Sequence, residues 1–111
     1  MNYQHKDLAA GRWSKLSLVT QMAHIGSEVE RALNWRIKKN REYAQKAFER
    51  SLELIDLTLD SDKNFAHLKE IARVREALVD YFSGENQFLS SEASWRKYFL
   101  PFACAARRDH Q

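Results

Sequence analysis

The sequence has few of the residues that form turns and terminate helices or strands, with three glycines and one proline in 111 residues. Turns depend on these residues, so the chain makes few turns and its elements must be long. A sheet protein of this length would need many more of them, which leaves helices. Because 44% of the residues are hydrophobic, the chain can form a packed core and is not disordered. We therefore expect an all-α fold in a single domain over residues 1–111, ordered from about 12 to 106, with a frayed tail at 107–111.

Cysteine and long apolar runs are also scarce. The one cysteine, Cys104, excludes an internal disulfide and favours an intracellular compartment. With no base beside it in sequence, Cys104 is expected to be a small buried residue. The first residues lack the basic-then-apolar pattern of a signal peptide, and no apolar run approaches the roughly 20 residues that span a bilayer. These absences predict a cytoplasmic protein without a membrane partner.

Apolar residues at spacings of three and four predict a long first helix, from near Arg12 to near Lys39. Gly26 lies on this apolar stripe, although glycine costs about 1 kcal/mol relative to alanine inside a helix. We interpret it as a point where another helix approaches closely. The stripe consists of Leu18, Met22, Ile25, Val29 and Ala32.

Three further helices follow from the same periodicity. The second is predicted from near Arg41 to Leu59, and the segment 60–64 is the clearest loop, with capping residues for the third helix. That helix ends at Gly84, in the usual place of a C-terminal glycine. Ser90 or Ser91 can cap the fourth, which Pro101 should kink or split. Four helices with short connections favour an up-and-down four-helix bundle.

Catalytic patterns are absent from the sequence. Three scattered glycines cannot form a phosphate loop, and neither the single cysteine nor the histidine spacings match a metal site. We therefore predict no catalytic residue, cofactor or metal. One candidate internal polar site remains on the third helix, where His67 and Arg75 are predicted near the apolar face and could bind an anion. The favoured alternative is structural, with Arg75 paired to Glu53 or Asp56.

The back of the first helix carries a second stripe with a tryptophan near each end. Tryptophan and arginine are enriched at binding interfaces, so this stripe is a candidate partner interface. The leading functional hypothesis is thus a non-enzymatic interaction protein, either a homo-oligomer or the partner of another protein. The alternative is that the two tryptophans only cover the ends of the bundle. The stripe comprises Trp13, Ser17, Thr20, His24, Arg31 and Trp35.

Positive charge concentrates where the first helix ends. Residues 31–41 carry five basic side chains and no acid, while the whole chain has a net charge of +3. Most of this cluster follows from the helix dipole, which favours cations at a C-terminus, and from the acids Glu42 and Glu49 close by in sequence. The other interpretation is a nucleic-acid patch, a second class of function. Its candidate residues are Arg36, Lys38, Lys39 and Arg41.

The stretch "AFERSLELIDLTL", followed by a short loop and "LKEIARVREALVDYF", resembles small prokaryotic helical proteins of the HEPN type and a set of uncharacterised bacterial four-helix bundles. The resemblance extends over residues 12–108. It implies partnership with a nucleotidyltransferase, or a role directed at RNA, either as a binding protein or as a degenerate nuclease. HEPN nucleases carry an arginine about four to six residues before a histidine. Here Arg107 and Arg108 stand too close to His110, so no catalytic residue carries over.

Overall fold

Four long helices make up most of residues 11–109, the part of the chain that the computed structural model describes. A short helical segment at 11–14 precedes them. No strand occurs within this range, which confirms the all-α fold class. The long helices are α1 (Leu18–Ile37), α2 (Arg41–Ser61), α3 (Phe65–Ser83) and α4 (Glu92–Asp109).

The first helix begins later than the periodicity predicts. Ser17 has an extended backbone and its side chain accepts a hydrogen bond from the amide of Thr20, so it caps α1, which starts at Leu18 rather than near Arg12. The preceding helical segment is held separately, because the Gln21 side chain donates to the carbonyl of Trp13 over 2.8 Å. A serine cap therefore divides the segment that was predicted as one helix.

The other boundaries follow the predicted signals. Asn40 caps α2 and Asn64 caps α3 through their side-chain oxygens, and Gly84 ends α3. Ser91 caps α4, since its hydroxyl accepts from the amide of Ser94 over 3.0 Å. α4 continues through Pro101 to Asp109, so it does not split, and residues 107–109 are part of this helix. The frayed tail at 107–111 stays a prediction. The kink at Pro101 stays a prediction, and residues 1–10 and 110–111 lie outside the described range.

The core is centred on α1, which packs against both α2 and α4, while α3 packs on α2. The close approach predicted at Gly26 is confirmed, and its partner is Phe99 on α4. A Cβ atom added at Gly26 would lie 2.8 Å from Phe99 Cβ. Fully buried apolar side chains from three helices meet in the core, among them Met22, Ile25, Val29, Leu33, Ile55, Ile71 and Leu78.

Two further expectations concern burial and membranes. Cys104 is exposed rather than buried, because it lies on the outer side of α4 beyond the core. No helix within residues 11–109 combines the length and hydropathy needed to cross a bilayer.

Candidate functional site

The turn between α1 and α2 has the geometry of a Schellman motif. The amide of Lys39 donates to the Arg36 carbonyl over 3.0 Å, and the amide of Asn40 donates to the Trp35 carbonyl over 2.9 Å. The motif requires a left-handed residue at its centre, normally glycine, and Lys39 fills this position with φ of 63°. A lysine there carries backbone strain, and such strain is often found at functional sites.

Four exposed basic residues surround this turn, and we call them the basic corner: Arg36, Lys38, Lys39 and Arg41. Among residues 11–109, no carboxylate lies within 4.0 Å of any of the four. The acids expected to neutralise them contact other side chains. Glu42 forms an ion pair with Lys46 at 3.2 Å, and Glu49 accepts a hydrogen bond from Gln45. The basic corner therefore presents its positive charge to solvent.

Arg36 is fixed in place by the end of α3. Its guanidinium carbon lies 4.9 Å from the ring centroid of Tyr81 and 5.4 Å from that of Phe82, both within cation–π range. Its Nη1 also approaches the Tyr81 carbonyl at 3.5 Å. These contacts bring the α1–α2 turn and the end of α3 to the same end of the molecule. An open depression of about 720 Å³ lies there, lined by Arg36, Lys39, Arg41, Ala44, Gln45 and Phe82.

The opposite flank of the turn is aromatic. The rings of Trp35 and Tyr43 meet edge to face, with centroids 4.8 Å apart, and the Lys38 ammonium lies 5.1 Å from the Trp35 centroid. A shallow groove of about 180 Å³ runs between α1 and α2 beside these rings. We call it the aromatic groove, and its lining comprises Glu28, Arg31, Trp35, Tyr43, Lys46, Ala47 and Arg50.

The structure corrects the predicted partner stripe on α1. Trp13 is only 8% exposed, and its Nε1 donates to Thr58 Oγ1 over 2.9 Å. Thr20 is buried as well. Both were expected to face a partner. The break at Ser17 turns the segment that carries Trp13 back onto the core, and Thr20 lies in the first turn of α1, where its hydroxyl accepts a hydrogen bond from Ser17 Oγ. The remaining members stay accessible: Ser17, His24 and Arg31 are exposed, and Trp35 is half-buried.

The predicted internal polar site does not form. Arg75 donates from Nε to Asp56 Oδ1 over 2.8 Å, which is the structural alternative. His67 is exposed in the first turn of α3, where its Nδ1 lies 3.1 Å from Asp62 Oδ2, and it does not face the interior. A hydrogen bond from the backbone amide of Asn64, followed by one from His67, lowers the pKa of Asp62. Both pairs are thus structural contacts. His67–Asp62 joins the first turn of α3 to the residue after α2, and Arg75–Asp56 links the middle of α3 to α2.

The loop between α3 and α4 is a feature that sequence reasoning missed. It displays Phe88, 57% exposed, and Leu89, 85% exposed, and the backbone of Leu89 is left-handed with φ of 55°. The carboxylate of Asp80 accepts hydrogen bonds from the amides of Gln87 and Phe88, at 2.8 and 3.0 Å. Two adjacent apolar residues in an otherwise polar loop, Phe88 and Leu89, were the sequence feature that could have predicted it. The loop follows the end of α3, so it lies at the same end as the basic corner.

No group of three or more His, Cys, Asp and Glu side chains within residues 11–109 is placed to hold a metal ion. No protein-family model matches the chain, and neither the curated proteins nor the solved structures contain a match. The HEPN-type resemblance therefore stays a prediction.

Proposed function

We propose that this up-and-down four-helix bundle is a non-enzymatic binding protein that contacts the phosphate backbone of a nucleic acid through the basic corner. One observation carries the proposal: four basic side chains meet at a single turn, with no carboxylate in ion-pair range among the described residues. An RNA partner would be in keeping with the HEPN-type resemblance.

Charge distribution supports a polyanionic partner over a neutral one. Residues 31–50 contain seven basic and two acidic side chains, although the whole chain has a net charge of only +3. The excess is therefore concentrated in the parts of α1 and α2 that adjoin the turn between them. Phosphate contacts gain affinity from the release of condensed counterions, which needs cations that are not already neutralised. The basic corner meets this requirement, and the depression beside Arg36 adds a concave surface for a backbone.

Salt dependence of binding tests the proposal. We expect a fluorescently labelled oligonucleotide to bind with an affinity that falls as salt rises. Contacts to four phosphates of a single strand give a slope of about −3 in a plot of log affinity against log salt. Lys38→Glu with Lys39→Glu should weaken binding at least tenfold and flatten that slope.

The matched control reverses two charges at the other end of the molecule. Lys63 and Lys69 are exposed and lie near the start of α3, so Lys63→Glu with Lys69→Glu changes net charge equally. Equal loss of binding in the two double variants would show a diffuse charge effect and refute a site at the basic corner.

Protein association is the second candidate, as a homo-oligomer or as the partner of an enzyme such as a nucleotidyltransferase. The observation that favours it is the α3–α4 loop, where hydrogen bonds to Asp80 fix a backbone that displays Phe88 and Leu89. Exposed apolar side chains on a rigid support lose little entropy on binding and are typical anchors of interfaces.

Light scattering at tens of micromolar protein tests the homo-oligomer. An oligomer built through this loop should dissociate when Phe88→Ser and Leu89→Ser are combined. One built through the remaining stripe of α1 should dissociate with Arg31→Ala and Trp35→Ala. A monomeric wild-type protein would exclude self-association and leave a different protein as the partner, to be sought by co-purification with the same two variants as controls.

A further inference from the structure

We infer that the nucleic acid is single-stranded and that one of its bases stacks on Tyr43 in the aromatic groove. The inference rests on the proposed function, because it assigns a strand type to the same surface. It depends on a structural relationship: the basic corner and the aromatic groove are two flanks of one turn.

The two flanks are continuous. Lys38 belongs to the basic corner, and its ammonium lies over the ring of Trp35. Arg41 begins α2, and Tyr43 follows two residues later. A backbone bound along the basic corner would therefore pass directly beside the aromatic pair. A base attached to that backbone can reach the groove without leaving the protein surface.

Tyr43 is the ring that remains accessible. Its side chain is 46% exposed, whereas Trp35 is half-buried and is covered by Lys38 and by Tyr43 itself. The Lys46 ammonium lies 5.8 Å from the Tyr43 centroid, at the outer range of a cation–π contact. Lys46 is an exposed and flexible side chain that can move to a phosphate and leave the ring to a base.

The charges in the groove permit this exchange. Arg31 is paired with Glu28 at 3.1 Å and Lys46 with Glu42 at 3.2 Å, each between neighbouring turns of one helix. The Lys46–Glu42 pair is exposed on both sides and contributes little, so a phosphate oxygen can replace its carboxylate. Arg31 is itself exposed, although Glu28 is largely buried. Arg50 has no carboxylate within 4.0 Å in the described part of the chain. A phosphate on either side of a stacked base would therefore find a cation.

Stacking distinguishes the two kinds of strand. In a duplex the faces of the bases are covered by neighbouring base pairs, and a side chain on the outside contacts only backbone and groove edges. In a single strand every base has a face that can stack on an aromatic ring, whatever its sequence. Tyr43 therefore adds affinity for a single strand and none for a duplex, while the basic corner contributes to both.

Three probes of equal length test the inference: oligouridylate, oligothymidylate and a mixed-sequence DNA duplex, each about 10 nucleotides per strand, a typical site size. The wild-type protein should bind both single strands more tightly than the duplex. Tyr43→Leu should weaken single-strand binding about fivefold or more, the loss expected for one stacked base, and leave duplex binding unchanged. Tyr43→Phe keeps the ring and should keep the affinity.

The matched control is Phe65→Leu, which removes a 79% exposed ring at the start of α3 and should affect no probe. Tryptophan fluorescence gives a second readout. Trp13 and Trp95 are buried, so quenching by oligouridylate reports on Trp35 and should be lost in Trp35→Phe.

The outcomes separate the inference from the proposed function. The stacking inference would be overturned if the wild-type protein bound single strands and duplex equally and Tyr43→Leu lowered neither affinity or lowered both alike. The basic corner would then survive as a site for any nucleic acid, provided that Lys38→Glu with Lys39→Glu still weakens binding. No binding of any probe at low salt would overturn both.

Discussion

The indole Nε1 of Trp13 donates a 2.9 Å hydrogen bond to the hydroxyl of Thr58, which is fully buried near the end of α2. The bond joins residues 45 positions apart and attaches the segment before α1 to the core. The Thr58 hydroxyl also donates to the Leu54 carbonyl, so it acts as acceptor and donor at once.

Thr58→Val tests this bond with little change in shape. The substitution leaves the buried indole N–H without an acceptor, and an unsatisfied buried donor costs about 1–3 kcal/mol. We expect the free energy of unfolding in urea to fall by that amount. The control repeats Thr58→Val in a Trp13→Phe background, where no indole N–H remains. An equal loss in the two backgrounds would mean that the bond does not contribute.

Gly26→Ala should destabilise the protein, although alanine has the higher helix propensity. The added methyl group would meet Phe99 at its Cβ, an atom tied to the α4 backbone, so the two helices must separate. Overpacking of this kind costs about 1–3 kcal/mol of stability. Alanine recovers about 1 kcal/mol through its higher helix propensity, so all but the lowest overpacking costs leave a net loss. Gly26→Leu should cost more. Ser27→Ala, at the exposed neighbour, should be neutral or slightly stabilising, and similar thermal unfolding of both alanine variants would contradict the close contact.

Lys39→Gly should stabilise the fold while weakening nucleic-acid binding. Glycine removes about 1–2 kcal/mol of strain at the left-handed position. It also gives the unfolded chain more conformational freedom, so the free energy of unfolding should rise by only about 0.5–1 kcal/mol. Lys38→Gly removes the same charge from a residue with φ of −76° and should destabilise instead. We therefore expect the two variants to change stability in opposite directions and to lose similar affinity for the oligonucleotide. That result would show that the backbone of Lys39 lowers stability while its charge contributes to binding.

Stability should decline at alkaline pH because of Tyr98. Burial, and then the 2.9 Å hydrogen bond from its hydroxyl to Glu70 Oε2, raise the pKa of Tyr98 in the folded protein. The contribution of Tyr98 is complete below the unfolded-state pKa of about 10 and is lost as pH rises above it. Between pH 9 and 11 the wild-type protein should therefore lose more unfolding free energy than Tyr98→Phe. Parallel losses, measured by urea titration at each pH, would exclude this role for Tyr98.

The helices were predictable because their signals are local. Asn64, Gly84 and Ser91 act where capping chemistry places them, and the apolar stripe of α1 faces the core. The start of α1 was missed because Ser17 is a capping residue and also a member of the second stripe, whose helical spacing continues back to Trp13. The capping hydrogen bond of Ser17 starts the helix at Leu18, and the hydrogen bond from Trp13 to Thr58 favours the break before it. The bond to Thr58 could not be predicted locally, because its two residues are far apart in the chain.

The basic corner was predicted by residue, but not its lack of carboxylate partners. Glu42 and Glu49 are close in sequence to the basic corner. Their i,i+4 spacing predicts the pair of Glu42 with Lys46, and the structure shows that both acids bond along α2, to Lys46 and to Gln45. His67 was placed on the apolar face by counting helical turns. The core does not extend to the first turn of α3, so that face of the helix meets solvent there. Helical periodicity predicts which face of a helix a side chain lies on, but it does not show whether that face meets the core or solvent at a given turn.

The central position of α1 has a consequence for the order of folding. Its contacts with α2 are made across a connection of only a few residues, so this pair can form early at low cost in loop-closure entropy. Its contacts with α4, such as that between Gly26 and Phe99, join residues more than 70 positions apart. We therefore expect the α1–α2 hairpin to form first and α4 to dock onto it. The turn that carries the basic corner would then belong to the part of the chain that becomes ordered first.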